Sequence, residues 1–491
     1  MSFGSDWGNG DYGERVRIEE RPGRGRGYAA LADREAVLAA LTALIADAWD
    51  SFERPRPEEP AIDSDLLERL AAPLPEEPNN PATVLADAAR VLDESNSPSR
   101  PLYLGYIGST GLEVGVLAEA LAATYDVNLA VTARAADLVE AQSVEWVAEF
   151  VGFDCAEGAF TSGGMISNLT GLLVARERAL PGCRVDGFGG RQGAVYCSSE
   201  SHHSIVRAAE AAGIGSAFVR LIEIDEHRRL HVDRLERALA ADRDAGVHPI
   251  AVVANGGTTL TGAVDPLDQI ADVCERHSVW MHVDGAYGLP AAATDSAGPL
   301  FAGIERADSA TLDAHKWLGL QKSCSLILVR HQGVLEEAFG HEESYMHRGD
   351  SVRNAVEKTL EYSRPLRSLK LWLAFRTHGA AAFRAWIEQT LALARRLADE
   401  VTDDESFELL CEPTLSTVCF RHLPGGVADL DAHNAALAAA AQRDGRVYLA
   451  PATVDGRVCL RACFVNFRTR PEDVDYALET LRELGARLKP A

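Results

Sequence analysis

The run Ser309-Ala310-Thr311-Leu312, followed by Asp313-Ala314-His315-Lys316-Trp317, puts the first lysine of the chain just past a strand-like segment. Only Lys322, Lys358, Lys370 and Lys489 come after it. Upstream, the apolar run Val279-Trp280-Met281-His282-Val283 leads into Asp284-Gly285-Ala286-Tyr287, so an acid also closes a strand. An amine and a carboxylate at the ends of buried strands suggest pyridoxal 5'-phosphate. That cofactor needs a lysine for its Schiff base and an anion beside its ring nitrogen, which keeps the ring protonated as an electron sink. Burial is expected to lower the pKa of Lys316 and so supply the neutral amine that Schiff-base exchange requires. The plainer alternatives are a surface lysine and, for Asp284, a helix N-cap; yet an acid ending an apolar strand is costly to bury without a cationic partner.

Working outward, residues 100 to 330 alternate short β-branched runs with helix-like segments, the pattern of a largely parallel sheet covered on both faces. Strands are predicted at Ala194 to Cys197, Ala217 to Ile222, Ile250 to Val253, Val279 to Val283, Ser309 to Leu312 and Leu326 to Val329. Helices are predicted between them at His203 to Ala212, Val232 to Ala241 and Leu267 to His277. Asp284 and Lys316 then fall at carboxyl ends of strands, where open α/β sheets place ligands. Beyond about residue 370, two helices, strands near 416–420, 447–450 and 458–463, and further helices at 428–442 and 471–488 read as a small α+β domain. Residues 1–28 are Gly-, Arg- and Asp-rich, with too few apolar groups to offset the entropy of ordering. Residues 29–99 form a helical arm that either folds back or reaches a partner subunit. The expected organisation is therefore a tail (1–28), an arm (29–99), a large cofactor domain (100–370) and a small C-terminal domain (371–491).

Composition excludes some functions. The formal charge of −25 disfavours a non-specific grip on nucleic acid or anionic lipid. Nine cysteines without a Cys-x-x-Cys pair argue against zinc or redox motifs and fit a reducing cytosol, so no metal is expected. No apolar stretch approaches the roughly 20 residues that span a bilayer. A soluble, cytoplasmic protein without membrane or nucleic-acid partners is expected.

Three further segments carry chemistry. Thr161-Ser162-Gly163-Gly164-Met165-Ile166-Ser167-Asn168 precedes an amphipathic helix, and adjacent glycines at a helix start let free amides converge on a phosphate. Gly-Gly before a helix is also an ordinary turn. Ser201-His202-His203-Ser204 offers an imidazole to stack on a ring, or merely polar capping residues. Gly257-Thr258-Thr259 follows a strand and either lines a cleft or forms a turn.

With these segments in order, the chain resembles the pyridoxal-phosphate-dependent group II amino acid decarboxylases, the family of the aromatic-L-amino-acid, glutamate, histidine and diaminobutyrate decarboxylases. The likeness runs from about Pro101 to the C-terminus. It rests on Thr-Ser-Gly-Gly at 161, Ser-His-His-Ser at 201, Gly-Thr-Thr at 257, His-Val-Asp-Gly-Ala-Tyr at 282 and Asp-Ala-His-Lys-Trp at 313. The resemblance implies a fold-type I architecture and a homodimer with the active site at the interface. It implies that Lys316 forms the Schiff base, Asp284 pairs with the ring nitrogen, Ala286 packs under the ring and His202 stacks over it. It further implies that Gly164, Met165 and His315 reach the phosphate and that Thr259 is the active-site threonine. Arg461 resembles an arginine that contacts substrate carboxylate. The implied reaction releases CO2 and an amine from an L-amino acid through an external aldimine and a quinonoid.

The chain also departs from this pattern. Ala355 stands near the position of the loop tyrosine that serves Cα protonation in aromatic amino acid decarboxylases, and Tyr345 is the only tyrosine between Gly340 and Lys358. Asp313 replaces the commoner asparagine, putting a negative charge near the phosphate unless it turns away. Ile107 and Gly108 replace a phenylalanine and a proline of aromatic-specific relatives. Oxidative aldehyde formation or carbon–carbon lysis on the same scaffold is the rival chemistry, and a fold retained for binding without turnover is the rival from another class.

Overall fold

The computed structural model describes residues 31, 33–56, 58–108, 110–130, 133–341 and 355–488. Tyr345, the loop tyrosine that the sequence offers as a substrate contact, lies outside them.

A seven-stranded sheet is built from β1 (Glu157–Thr161), β2 (Gly193–Ser198), β3 (Val219–Ile222), β4 (His248–Asn255), β5 (Trp280–Asp284), β6 (Ser309–Asp313) and β7 (Ser325–Val329). Their spatial order is β1-β7-β6-β5-β4-β2-β3. Pairings from β6 through β3 are parallel, whereas β7 runs antiparallel to both β6 and β1. Strands covered on both faces read as continuous apolar runs, because both sets of alternating side chains are buried. Thus Val252, Ala254, Met281 and Val283 pack into one core layer, and Ala251, Val253, Trp280 and Ile327 into the other. The helices Ala135–Val151 and Leu267–His277 cover the first layer, and Gly164–Ala179 and Ser204–Ala211 the second.

A second, wholly antiparallel sheet comprises β8 (Phe407–Cys411), β9 (Thr417–His422), β10 (Ala450–Val454) and β11 (Arg457–Cys463), ordered β10-β11-β9-β8. Leu460 and Ala462 of β11 enter the small core. By strand alternation Cys459, Arg461 and Cys463 point the opposite way. The helix Ser368–Asp403 links the two sheets and breaks at Gly379, whose φ of 76° lies in the left-handed region.

The structure alters two sequence-based expectations. The strand expected at 447–450 lies at Ala450–Val454. Val447 and Leu449 are buried, but the extended backbone here pairs with the 102–104 segment: the Tyr448 amide donates to Leu102 O at 2.9 Å and the Leu104 amide to Tyr448 O at 2.8 Å. β1 and β8 were not anticipated, since Glu-Gly-Ala-Phe-Thr and Phe-Glu-Leu-Leu-Cys carry few β-branched residues and no clean alternation. In the arm, the helices Arg34–Phe52 and Pro81–Asp93 contain no buried residue.

One buried ion pair anchors the approach to the sheet. Arg364, with a side chain 1% exposed, donates to both carboxylate oxygens of Glu140 at 2.8 and 2.5 Å. Glu140→Ala strands that guanidinium, and unfolding in urea should show a loss of about 3–5 kcal/mol.

Candidate active site

Parallel strands deliver their last residues to one edge of the sheet. Ser198, Asn255, Asp284 and Asp313 end β2, β4, β5 and β6, and Asn255 and Asp284 stand in register. Above them opens a cleft whose walls include Gly164, Met165, His202, Thr259, Asp284, Ala286 and Lys316. Seven residues singled out in the sequence thus meet in one place, drawn from five separate segments.

Lys316 Nζ lies 2.9 Å from Asp313 Oδ2. The expected lowering of its pKa is not what the structure gives. Desolvation does pull it down, but the charge and hydrogen bond of Asp313, with Asp284 beyond, outweigh burial and hold it above the ordinary lysine value. Asp313 does not turn away: its side chain is 3% exposed and its other oxygen accepts from Ser325 Oγ at 2.5 Å. Gly164 is required here, because a Cβ would sit 2.8 Å from Asp313 Oδ2 and 3.1 Å from the Ala286 methyl.

Asp284 is 7% exposed and is held from two sides. The Ala286 amide donates to Oδ1 at 3.2 Å, the turn-forming bond that the capping alternative foresaw, and Asn168 Nδ2 donates to Oδ2 at 3.0 Å. Asn168 belongs to a buried relay that sequence reasoning missed. An indole nitrogen only donates, so Trp280 Nε1 must give its proton to Ser309 Oγ, at 2.8 Å. Ser309 then donates to His282 Nδ1 at 2.8 Å, and His282 Nε2 donates to Asn168 Oδ1 at 3.0 Å. This polarity needs a neutral His282, and burial pushes its pKa down to about 3. Asn168 Nδ2 also donates to Ser204 Oγ at 3.1 Å, which lies 2.8 Å from His202 Nδ1; the Ser204 amide donates to the same nitrogen at 3.2 Å. His202 Nδ1 is therefore an acceptor, and in the neutral ring Nε2 carries the proton. Desolvation lowers the pKa of His202, with the Asp284 charge opposing it.

The two threonines separate cleanly. Thr258 Oγ1 is engaged by Thr261 and by the Ala263 amide at 3.2 Å, so its hydroxyl shapes the turn. Thr259 lines the cleft beside Thr258, and its hydroxyl has no hydrogen bond among the described residues. His315 stands behind the lysine, Nδ1 being 3.0 Å from Cys324 O and Nε2 3.7 Å from Asp313 Oδ2. Tyr287 stacks on Trp317 at 5.1 Å and reaches Ser416 Oγ at 2.5 Å, tying both lysine-side motifs to β9 and the loop before it. Arg461, 6% exposed, has Nε and Nη2 buried without a partner among the described residues.

A family model described as the pyridoxal-dependent decarboxylase conserved domain matches residues 37–423. The chain belongs to this family. It is 33% identical over 444 residues to an aromatic-L-amino-acid decarboxylase of Bacillus atrophaeus, covering 88% of this chain and 91% of that one. It is 35% identical over 293 residues to a cysteine sulfinic acid decarboxylase of Rattus norvegicus, covering 58% and 59% respectively. The crystal structure of mouse CSAD superposes with a TM-score of 0.87 at 27% identity, covering 92% of this chain and 99% of that one. The chain is thus a pyridoxal-phosphate-dependent carboxy-lyase of fold type I. The site suits the cofactor: a half-buried amine and a buried carboxylate face one cleft, and at Gly164 there is no room for a side chain. Among the described residues no helix is long and apolar enough to cross a membrane, and no cluster of ligating side chains suits a metal ion.

Proposed function

We propose that this decarboxylase converts an L-amino acid to CO2 and the corresponding amine, with Lys316 as the attachment residue. The convergence of Lys316, Asp284 and His202 on one cleft carries the reading. Bound there, pyridoxal phosphate supplies an electron sink for the pair left when the carboxylate departs. Asp284, fixed by Asn168 and the Ala286 amide, holds a proton on the ring nitrogen. His202 and Ala286, which line the same cleft, would hold the ring between them. The amides of Gly164 and Met165, at the start of the helix Gly164–Ala179, take the phosphate, with His315 on the same side and Thr259 lining the cleft. Arg461 meets the substrate carboxylate, which its two unpartnered nitrogens support.

Arg461→Met is expected to lower kcat/KM by about 10- to 100-fold, the loss of a charge-assisted hydrogen bond, while the cofactor's visible band is kept. Exposed Leu38, Leu41, Leu67, Leu70 and Leu92 on the arm support a homodimer in which a second copy covers these side chains and the active site lies at the interface; sedimentation would show a monomer if this is wrong. Product analysis tests the reaction. Incubation with a panel of aromatic and acidic amino acids and cysteine sulfinate should yield amine and CO2 from at least one. Aldehyde with ammonia or peroxide would instead mark the oxidative chemistry.

A further inference from the structure

The Lys316–Asp313 pair is built more firmly than a chance contact. Three buried hydroxyls lead to the carboxylate: Thr161 Oγ1 lies 2.7 Å from Ser167 Oγ, which lies 2.9 Å from Ser325 Oγ, and Ser325 donates to Asp313 Oδ1 at 2.5 Å. Thr161, Ser167 and Ser325 are all fully buried. This chain fixes Oδ1, and Oδ2 is left facing Lys316 Nζ at 2.9 Å. An asparagine here would offer no charge to the amine. Other groups act on the same nitrogen: Asp284 from the end of β5, Cys463 from the end of β11 and His202 from the loop before Ser204. His315 and Lys322 flank the carboxylate side. Asp313 is the only one of these groups whose ion pair with Lys316 closes to hydrogen-bond distance among the described residues.

We propose that Asp313 is a positioning residue that keeps Lys316 as an ammonium ion in the cofactor-free site and accepts its proton when the cofactor aldehyde arrives. This rests on Lys316 being the attachment residue. The step balances. An Nζ–H bond breaks as Oδ2–H forms, and the freed nitrogen pair bonds to the aldehyde carbon. A second Nζ proton and the proton on Oδ2 then pass to the former aldehyde oxygen, whose bond to carbon breaks as it leaves as water, restoring the carboxylate and leaving a C=N bond with one proton on nitrogen. Asp313 thereby protects the amine from stray electrophiles and sets the pH at which the enzyme takes up its cofactor.

Trace acetylation of the cofactor-free enzyme across pH, read by the mass of the Lys316 and Lys322 peptides, tests this. Lys322 is exposed and serves as an internal reference. In the wild type, Lys316 should become reactive at a higher pH than Lys322. In Asp313→Asn its profile should move to lower pH, so that acetylation near neutral pH is faster than in the wild type. Uptake of pyridoxal phosphate, followed by its visible band, should extend to lower pH in the variant. A wild-type Lys316 profile at or below that of Lys322 would overturn the proposal without any variant, as would an unchanged profile in Asp313→Asn. A displaced acetylation profile in a protein that develops no visible band would overturn the attachment reading and leave the ion pair standing.

Discussion

Lys316→Arg should abolish the cofactor's covalent attachment and lower turnover by roughly 10³-fold or more, the scale of losing a covalent catalyst. Arginine is the informative replacement. It keeps a cation opposite Asp313, whose side chain is 3% exposed and which alanine would leave without its partner at 2.9 Å. A guanidinium stays protonated and cannot condense with an aldehyde. The fold should therefore be intact, with the visible band replaced by that of free cofactor. A variant that retained the wild-type band and rate would show that another lysine does the work.

Asp284→Asn should leave attachment in place yet cost about 10²–10³-fold in kcat, the scale for removing one preorganised electrostatic partner of the transition state. The substitution is nearly isosteric. One of the two donors, Asn168 Nδ2 or the Ala286 amide, keeps an oxygen to donate to, while the other faces the new amide nitrogen, so the side chain is held from one side only. What disappears is the negative charge that holds a proton on the ring nitrogen, and with it the electron sink. The loss should fall on kcat rather than KM, measured with the variant saturated in cofactor. Equal loss in KM alone would assign Asp284 to binding instead.

Both predictions rest on residues that local sequence reveals well. An acid or an amine closing an apolar strand is recognisable because the strand is buried on both faces and its last residue has nowhere to go but the sheet edge. The two neighbouring hydroxyls at 258 and 259 look alike in sequence, where only the family resemblance favours Thr259; in the structure the turn that engages Thr258 distinguishes them. The relay through Asn168 and His282 was not legible, because its members are 114 residues apart and meet only when the helix Gly164–Ala179 lies across β5. Gly171 permits that approach: a Cβ there would be 2.8 Å from the His282 ring. The sign of the Lys316 shift was misjudged for a similar reason. Burial was apparent from the strand, but the direction in which Asp313 points depends on Ser325, at the start of the antiparallel β7. The misplaced strand at 447–450 shows the same limit, since an apolar extended run does not disclose its pairing partner.

The chain's few lysines allow a direct test of the central claim. Borohydride reduction of the cofactor-loaded enzyme, followed by digestion and mass spectrometry, should place the pyridoxyl group on the peptide carrying Lys316 and leave Lys322, Lys358, Lys370 and Lys489 unmodified. Label on any of those four, or no label on a protein that still releases CO2, would contradict the account.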